Sequence, residues 1–293
     1  MMNNNFISII KVDDPQNWQF LKGQIKKYLN FDTHNYRDTF LMRRVECRLR
    51  KLQINSYMEY TRLLSASDEE KKLLEKELTI HVTRFFRDKS LFKELMTWIF
   101  PQFIKEKMEM NNYSISVWSA GCSSGEEAYS IAIVFKEVLG DNIKNFLVKI
   151  HGTDLEPKTI ERAKTGAYEE SALMEMPDEL KEKYFTYHEG LYYVVPQIKN
   201  MVKFEVGDML NPSGQMIYDI IFCRNTVIYF EKKTKQDLYE SLFSKLKKGG
   251  FLILGKTEFL DGSAKPRFQM YNANERIYRK PFSETSAMDY INA

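Results

Sequence analysis

The sequence predicts an α/β fold in which a parallel sheet follows a small all-α domain. Two observations support this. Apolar residues recur at helical spacing up to about Asn111, whereas short β-branched strands alternate with helices from Tyr113 onward. Such alternation gives a mostly parallel sheet that is covered on both faces and binds its ligand at the C-terminal ends of its strands. A chain of 293 residues is long enough for one large domain and one small domain.

Composition narrows the class of protein. Apolar residues make up 43% of the chain and aromatic residues 14%, which is ample for a packed core. No run approaches the roughly 18 apolar residues of a membrane helix, and the polar start lacks signal-peptide architecture. The three cysteines have neither zinc-ligand nor disulfide spacing, so we expect a cytoplasmic protein without a metal site. A net charge of +3 does not by itself indicate nucleic-acid binding.

The first part of the chain predicts four helices. Two cover the apolar patterns at 18–29 and 40–52, a third begins after the start signal at 65–68, and a fourth begins near Asp88. Pro101 does not clearly end the fourth helix, so the sequence does not determine where this helix stops. The second helix carries a basic face that either is simply solvated or docks an acidic partner surface. Its residues are Arg43, Arg44, Arg48, Arg50 and Lys51.

The second part of the chain predicts seven strands. They lie at 114–119, 147–153, 202–206, 218–223 and 251–255, followed by an antiparallel edge pair at 268–271 and 276–279. Helices are predicted at 126–139, 157–165 and 232–246. The basic and glycine residues at 247–250 predict a helix stop with a turn. A helix at 177–184 and a hairpin at 187–195 break the alternation, which indicates a small subdomain inserted into the sheet domain.

A glycine loop joins the first predicted strand to its helix. Gly121 and Gly125 flank the loop, and Glu126 and Glu127 open the helix. A helix N-terminus favours an anion, but here the two carboxylates supply the negative charge themselves. The loop is therefore unsuited to a diphosphate and suited to a ligand with positive charge. S-adenosylmethionine, which carries an ammonium and a sulfonium group, is the candidate.

Acidic residues follow the second and third predicted strands. Asp154 is placed to accept hydrogen bonds from both hydroxyls of a ribose, or alternatively to cap the helix that follows it. Asp208 would accept from the exocyclic amine of adenine while Met209 packs on the ring. The alternative for Asp208 is an ordinary loop aspartate before Asn-Pro.

The fourth predicted strand ends in polar residues beside the expected cleft. Because unpaired polar groups are costly at the end of a buried strand, Arg224 and Asn225 are interpreted as functional, with Asn225 bridging ligand and backbone. Tyr229 would face the reacting centre. The alternative is a solvated turn whose apolar neighbours lie in the core.

The segment before the sheet also carries candidate residues. Phe85 and Phe86 would anchor it and leave Thr83 and Arg87 free to reach over the cleft. The alternative is an amphipathic junction without a functional role. His81 is either a ligand contact or a structural residue.

Taken together, these motifs resemble those of the CheR-type chemotaxis receptor methyltransferases. They occur in the family's order and span roughly residues 20–280. The matching segments are TRFFRD at 83–88, WSAGCSSGEEAYS at 118–130, GTDL at 152–155, FCRNTVIYF at 222–230 and GGFLILG at 249–255.

The resemblance implies a class I S-adenosylmethionine-dependent methyltransferase fold with a mostly parallel, seven-stranded, Rossmann-like sheet. It implies an N-terminal helical domain and linker at 1–111, a methyltransferase domain at 112–282 and a flexible tail at 283–293. The insertion at 167–199 would be the family's small β-subdomain, which in some members grips a receptor tail. The implied reaction converts glutamate side chains of a chemoreceptor to methyl esters and leaves S-adenosylhomocysteine. The implied partner is the cytoplasmic domain of the receptor. The protein itself would be a monomer that neither binds nucleic acid nor inserts into the membrane.

The resemblance also implies the residues of the site. Arg87 and Tyr229 would be closest to the chemistry. The residues that would surround the cofactor are His81, Thr83, Arg87, Gly121, Glu126, Glu127, Asp154, Asp208, Met209, Arg224 and Asn225. The sequence departs from the family in having His81 where Asn is usual, and Lys256-Thr257 where His-Ser usually precedes Glu258.

Two other functions remain open at this level. One is a methyltransferase of the same fold that acts on nucleic acid or a small molecule, although the sequence after the fourth strand lacks the Asn/Asp-Pro-Pro-aromatic motif of amino-methylating DNA enzymes. The other is a non-catalytic adaptor that binds S-adenosylmethionine as a structural ligand.

Overall fold

The computed structural model describes residues 15–79, 83–212 and 214–283. The described chain forms two compact units. The helical unit contains residues 15–79 and 229–234, and the sheet unit contains the remaining described residues. The candidate contact His81 and the predicted tail beyond Ser283 lie outside the described residues.

The helical unit is built from α1 (Pro15–Leu29), α2 (Asp38–Leu52), α3 (Tyr57–Ala66) and α4 (Asp68–Leu78). The start predicted for the last of these is confirmed, because Ser67 caps α4 by accepting a hydrogen bond from the N–H of Glu70. The sequence did not predict α3. At ten residues this helix is shorter than the window over which helical periodicity stands out.

A buried ion pair joins α2 to α4. Arg48 donates from Nε and Nη2 to the two carboxylate oxygens of Glu70 at 3.0 and 2.7 Å, and the Tyr60 hydroxyl donates to the same carboxylate at 2.7 Å. Arg44 and Lys51 both pair with Glu77. The interpretation of five basic residues as one solvated or docking face is therefore wrong for Arg48, which holds the helices together.

The sheet unit contains a seven-stranded sheet and a three-stranded sheet. The order of the larger sheet places its first strand in the interior, third from one edge, so the connections reverse direction beside that strand. The strands are β1 (Ser114–Ala120), β2 (Leu147–Asp154), β3 (Ala167–Tyr168), β4 (Phe185–His188), β5 (Leu191–Val194), β6 (Val202–Val206), β7 (Tyr218–Cys223), β8 (Leu246–Leu254), β9 (Gln269–Asn272) and β10 (Ile277–Arg279). The large sheet runs β6-β2-β1-β7-β8-β10-β9, with parallel pairing from β6 to β8 and antiparallel pairing at β10 and β9. The mostly parallel seven-stranded sheet is confirmed.

The remaining helices alternate with these strands. They are α5 (Lys89–Glu94), α6 (Phe100–Glu109), α7 (Glu126–Leu139), α8 (Pro157–Thr165), α9 (Asp178–Tyr184), α10 (Pro196–Lys199) and α11 (Lys232–Lys245). A π-helical turn, Leu95–Ile99, links α5 to α6, so the helical path continues past Pro101. Pro101 lies directly after the π-helical turn, where the regular i→i−4 ladder of hydrogen bonds is already interrupted.

The predicted turn at 247–250 is wrong. These residues belong to β8, which starts at Leu246 opposite Tyr218, and α11 ends one residue earlier. Gly249 has a positive φ of 73° within the strand, and the pairing with β7 shifts register there. The glycine therefore supports an irregular strand position instead of a helix cap.

The inserted β-subdomain is confirmed. Its three strands pair in the order β3-β5-β4, and α9 and the β4–β5 hairpin fall where the sequence predicts them. The Phe85 ring packs edge-on against Tyr168 of β3 and Phe185 of β4, at centroid distances of 4.8 and 5.0 Å. The subdomain thus shares its core with the segment that precedes the sheet.

A second buried ion pair lies at the start of β7, away from the C-terminal strand ends. Asp219 accepts from Lys107 Nζ at 2.7 Å, from Lys247 Nζ at 2.8 Å and from the backbone N–H and hydroxyl of Ser116, both at 2.8 Å. The side chains of Lys107 and Asp219 are 6% and 5% exposed. This cluster ties α6 to the central strands.

Candidate active site

The glycine loop follows β1 at the C-terminal edge of the sheet. The N–H groups of Gly121 and Cys122 both donate to the carbonyl oxygen of Thr153, at 2.8 and 2.9 Å, which fixes the loop to the end of β2. Gly121 has a φ of +76°, and a Cβ there would lie 2.7 Å from Met209 Cε and 3.1 Å from Thr226 Oγ1. The loops after β1, β6 and β7 therefore meet at Gly121, and only glycine fits there.

Arg224 is the centre of a polar cluster at this edge. Its side chain is 2% exposed, and Nη1 donates to Glu127 at 2.9 Å. Nη2 donates to the Asp88 carboxylate at 2.5 Å and to the Arg87 carbonyl oxygen at 3.1 Å. One guanidinium thus joins β7, α7 and the segment before the sheet. The alternative of a solvated turn is wrong for Arg224.

The two glutamates that open α7 have different surroundings. Glu127 accepts from the Ser119 hydroxyl at 2.7 Å as well as from Arg224. Glu126 is 2% exposed and accepts from the Ser124 hydroxyl at 2.8 Å. Burial raises the pKa of the Glu126 carboxyl. Only Glu127 of this pair lies in the Arg224 cluster.

Asp154 ends β2 and bonds to the glycine loop. One carboxylate oxygen accepts from the N–H of Ser123 at 2.9 Å, and the other accepts from the N–H of Glu156 at 3.1 Å. The residue that caps α8 is Glu156, so the capping alternative for Asp154 is wrong. An ionised carboxylate has about four acceptor sites, which leaves room for further donors such as ribose hydroxyls. The ribose interaction itself stays a prediction.

Asp208 follows β6 and shapes its own loop. Its carboxylate accepts from the N–H of Leu210 at 2.8 Å and from the side-chain amide of Asn211 at 2.9 Å. Met209 is buried and directs its methyl group toward Gly121. The Asp208 contacts are those of an ordinary Asx turn, so a role toward adenine stays a prediction.

The segment before the sheet is anchored as predicted. Phe85 and Phe86 are buried. The N–H of Phe85 donates to the carbonyl oxygen of Ala172, and the N–H of Phe86 donates to the Ser130 hydroxyl. Thr83 and Arg87 are both half-buried. Their contacts with a ligand remain predictions.

Tyr229 belongs to the helical unit. Its ring packs on Phe40 with the centroids 4.6 Å apart, and its carbonyl oxygen accepts from the N–H of Arg37. These contacts assign it a packing role there, and its predicted place near the reacting centre stays a prediction.

The cysteines beside the cleft are thiols held in the core. Cys122 and Cys223 are 1% and 0% exposed. Burial raises the pKa of both thiols well above its usual value, so neither supplies a thiolate.

Three acidic or polar contacts at this edge were absent from the predicted site. Asp88 pairs with Arg224, Thr226 touches Gly121, and Glu258 accepts from the N–H groups of Asn225 and Gly255. Asp88 stands next to Arg87 in the motif before the sheet, which is a signal that could have identified it. The sequence signal for Glu258 was weaker. Of the His-Ser-Glu motif that usually follows Gly255, only the glutamate is present here.

The site fits S-adenosylmethionine. Glu127 and Asp88 share the guanidinium of Arg224, and Asp154 adds a further carboxylate, which together suit a ligand with two positive groups. Arg224 Nε is buried without a hydrogen-bond partner among the described residues, and a carboxylate is the acceptor that binds such a donor most strongly. The ligand's amino-acid end offers both charges.

The strand order, the glycine loop and the acidic end of β2 define a class I S-adenosylmethionine-dependent methyltransferase fold. Residues 81–277 match the family model described as "CheR methyltransferase, SAM binding domain", and residues 16–79 match "CheR methyltransferase, all-alpha domain". The chain therefore belongs to the CheR methyltransferase family, as the resemblance implied. S-adenosylmethionine is the cofactor of its sheet unit.

Several relatives named as chemotaxis protein methyltransferases match most of this chain. The chemotaxis protein methyltransferase of Borreliella burgdorferi is 35% identical over 71% of this chain and 75% of its own. That of Salmonella typhimurium is 31% identical over 72% of each chain. That of Listeria innocua is 28% identical over 84% of this chain and 91% of its own.

Among the described residues, no helix combines the length and the apolar character needed to cross a membrane.

Proposed function

We propose that the protein methylates glutamate side chains of chemoreceptors and forms glutamyl methyl esters. The observation that carries this proposal is the family's SAM-binding domain with the Arg224 cluster at the C-terminal strand ends. A glutamate with a pKa of about 4.3 is ionised at neutral pH, so its oxygen needs no strong general base. The chemistry is then a matter of alignment and of excluding water.

We propose that different residues of the site bind the cofactor and orient the substrate. When bound, the cofactor would supply an electrophilic methyl group on its sulfonium, and the electron pair of the carbon–sulfur bond would stay on sulfur. Glu127 and Arg224 hold the ends of the amino-acid part, and Asp154 receives the ribose hydroxyls. Met209 and Asp208 bound the adenine. Arg87 orients the incoming carboxylate by its charge.

We propose that the partner is the cytoplasmic domain of a receptor and that the protein acts on it as a monomer in the cytoplasm. Arg43 is exposed and forms no ion pair with any described residue, whereas Arg44 and Lys51 pair with Glu77 and Arg50 pairs with Glu46. We therefore propose that Arg43 contacts an acidic receptor surface.

The function is tested by incubating the protein with methyl-labelled S-adenosylmethionine and a receptor cytoplasmic fragment. We expect label on glutamate that mild base releases as methanol, because esters hydrolyse readily. Cofactor binding without transfer to any fragment would support the adaptor function. Label that resists base would indicate another substrate class.

Arg87→Ala is expected to lower the methylation rate by about 100-fold or more, because the incoming carboxylate loses the positive charge that orients it. A rate about 100-fold lower corresponds to an increase of about 2.7 kcal/mol in the activation free energy. The dissociation constant for S-adenosylhomocysteine should rise by less than about tenfold. Steady-state kinetics and calorimetry measure the two effects.

Arg84→Ala is the matched control for this variant. Arg84 lies in the same segment, but its side chain is 45% exposed and faces Glu175 at 3.5 Å. Its replacement should leave both quantities near those of the wild type. Equal losses of rate and affinity in Arg87→Ala would make Arg87 a cofactor clamp only.

A further inference from the structure

We propose that Glu258 is a positioning residue whose carboxylate sets the conformation in which Asn225 meets the cofactor. This inference rests on the proposed function and deepens it. Its basis is a cluster of backbone contacts between the ends of β7 and β8 that neither strand makes by itself.

The Glu258 carboxylate bridges two loops. Oε2 accepts from the N–H of Gly255 at 2.8 Å and from the N–H of Asn225 at 2.9 Å, while Oε1 accepts from the N–H of Ile228 at 3.2 Å. The residue is 3% exposed. Parallel strands pair up to Cys223 and Leu254, and beyond that point the carboxylate replaces the ladder of hydrogen bonds.

The backbone that Glu258 holds is an unfavourable one. Asn225 has a φ of +58°, in the left-handed region that non-glycine residues rarely adopt. Such a conformation persists only where surrounding contacts impose it. The bonds to Asn225 and to Ile228 lie on either side of the turn and supply that constraint.

Gly255 makes the approach possible. A Cβ at this position would lie 2.7 Å from Glu258 Oε2, 2.9 Å from the backbone nitrogen of Asn225 and 3.0 Å from its Nδ2. The carboxylate and the Asn225 amide therefore pack directly on the glycine backbone. Because Oε2 also accepts from the Asn225 N–H, we expect a shift of the carboxylate to move Asn225.

The energetics point the same way. Among the described residues, no lysine, arginine or histidine forms an ion pair with Glu258, and burial raises the pKa of its carboxyl. Burying a carboxylate without a cation is costly, so packing alone does not account for it. The backbone N–H groups of Gly255, Asn225 and Ile228, which donate to the carboxylate, account for its burial.

Glu258→Gln is the direct test. The amide oxygen can replace only one carboxylate oxygen, and the NH2 group then opposes a backbone N–H donor. We expect the dissociation constant for S-adenosylhomocysteine and the KM for S-adenosylmethionine to rise by about tenfold or more, with kcat changed by less than about threefold. Amide hydrogen exchange at Asn225 should accelerate.

Asp219→Asn is the matched control. Asp219 is also a buried carboxylate that accepts a backbone N–H, but it lies at the opposite end of β7. Its replacement should lower stability and leave cofactor affinity unchanged. If Glu258→Gln lowers the melting temperature but, like the control, leaves affinity unchanged, Glu258 is only structural and the proposal fails.

Gly255→Ala keeps the test decisive if Glu258→Gln does not fold. It leaves the carboxylate in the chain and displaces Asn225 from the other side, so the same loss of affinity is expected. Wild-type affinity in either folded variant would overturn the proposal while the proposed function stands. Wild-type protein that does not bind S-adenosylhomocysteine would instead refute the proposed function.

Discussion

Arg224→Met is expected to weaken the binding of S-adenosylhomocysteine strongly and to abolish methyl transfer. The guanidinium is 2% exposed, and the Glu127 and Asp88 carboxylates that it bonds are 14% and 26% exposed. Removing it leaves two partly buried carboxylates without their cation, and breaking a buried pair typically costs about 3–5 kcal/mol. This cost lowers the stability of the folded protein. The ligand's carboxylate loses the same guanidinium, so we expect the affinity for S-adenosylhomocysteine to fall by at least about 100-fold.

Arg224→Lys should recover only part of the loss. A lysine keeps the charge, but it lacks the planar fork with which Arg224 bonds Glu127, Asp88 and the Arg87 carbonyl oxygen at once. We expect its affinity to lie between those of Arg224→Met and the wild type. Calorimetric titration with S-adenosylhomocysteine measures all three proteins.

The control for Arg224 is Arg279→Met. Arg279 is similarly enclosed, with a side chain 13% exposed, and it pairs with Glu106 and donates to the carbonyl oxygen of Gly249. It lies on β10 and not at the cleft, so its loss should affect stability more than binding. Undiminished binding in Arg224→Met would show that the cluster does not hold the ligand.

Asp219→Asn is expected to lower the free energy of unfolding of the sheet unit by about 3 kcal/mol at pH 7. The substitution leaves the ammonium of Lys107, whose side chain is 6% exposed, without its carboxylate. Urea unfolding measures the change. Asp141→Asn, at an exposed position, is the control and should be nearly neutral.

The effect of Asp219→Asn should depend on pH. Burial by itself would raise the pKa of the Asp219 carboxyl, but the bonds from Lys107, Lys247 and Ser116 outweigh it and leave the pKa below its usual value. A lowered pKa in the folded state contributes stability above the unfolded value of about 3.9, and the contribution disappears as pH falls through the folded value.

The difference between the wild type and Asp219→Asn should therefore be constant near neutrality and shrink below about pH 4. A difference that stays the same on acidification would show that Asp219 does not act through its charge.

Much of the fold could be predicted because its strands are short, apolar and separated by clear helical patterns. The limits of α7 and α8 agree with the sequence prediction to the residue, since Gly125 and Pro157 mark their starts. The segment at 247–250 was misread because lysine and glycine after a helix normally indicate a stop. Here the strand already begins at Leu246 opposite Tyr218, and residues 247–250 form an irregularity before Phe251 pairs with Ile220. The backbone of Lys280 bonds to Gly249 and Gly250, which is information that a local pattern does not contain.

The position of a candidate residue could be predicted where the residue stands in a recognisable motif, but contacts between residues distant in the sequence could not. Arg224 and Gly121 stand in recognisable loops, and the structure places both at the strand ends. The pairing of Arg224 with Asp88 joins residues 136 positions apart, and the contact of Glu258 with Asn225 spans 33. Arg48 looked like a surface cation because a helical face does not reveal that Glu70 covers it.

The two edges of the large sheet bear on self-association. β6 has five residues, including the ion-paired Lys203 and Glu205, and β9 has four residues and a register shift in its pairing with β10. Short, charged or irregular edge strands are poor templates for another chain. Continuous intermolecular sheets built from this protein are therefore disfavoured, even at high concentration.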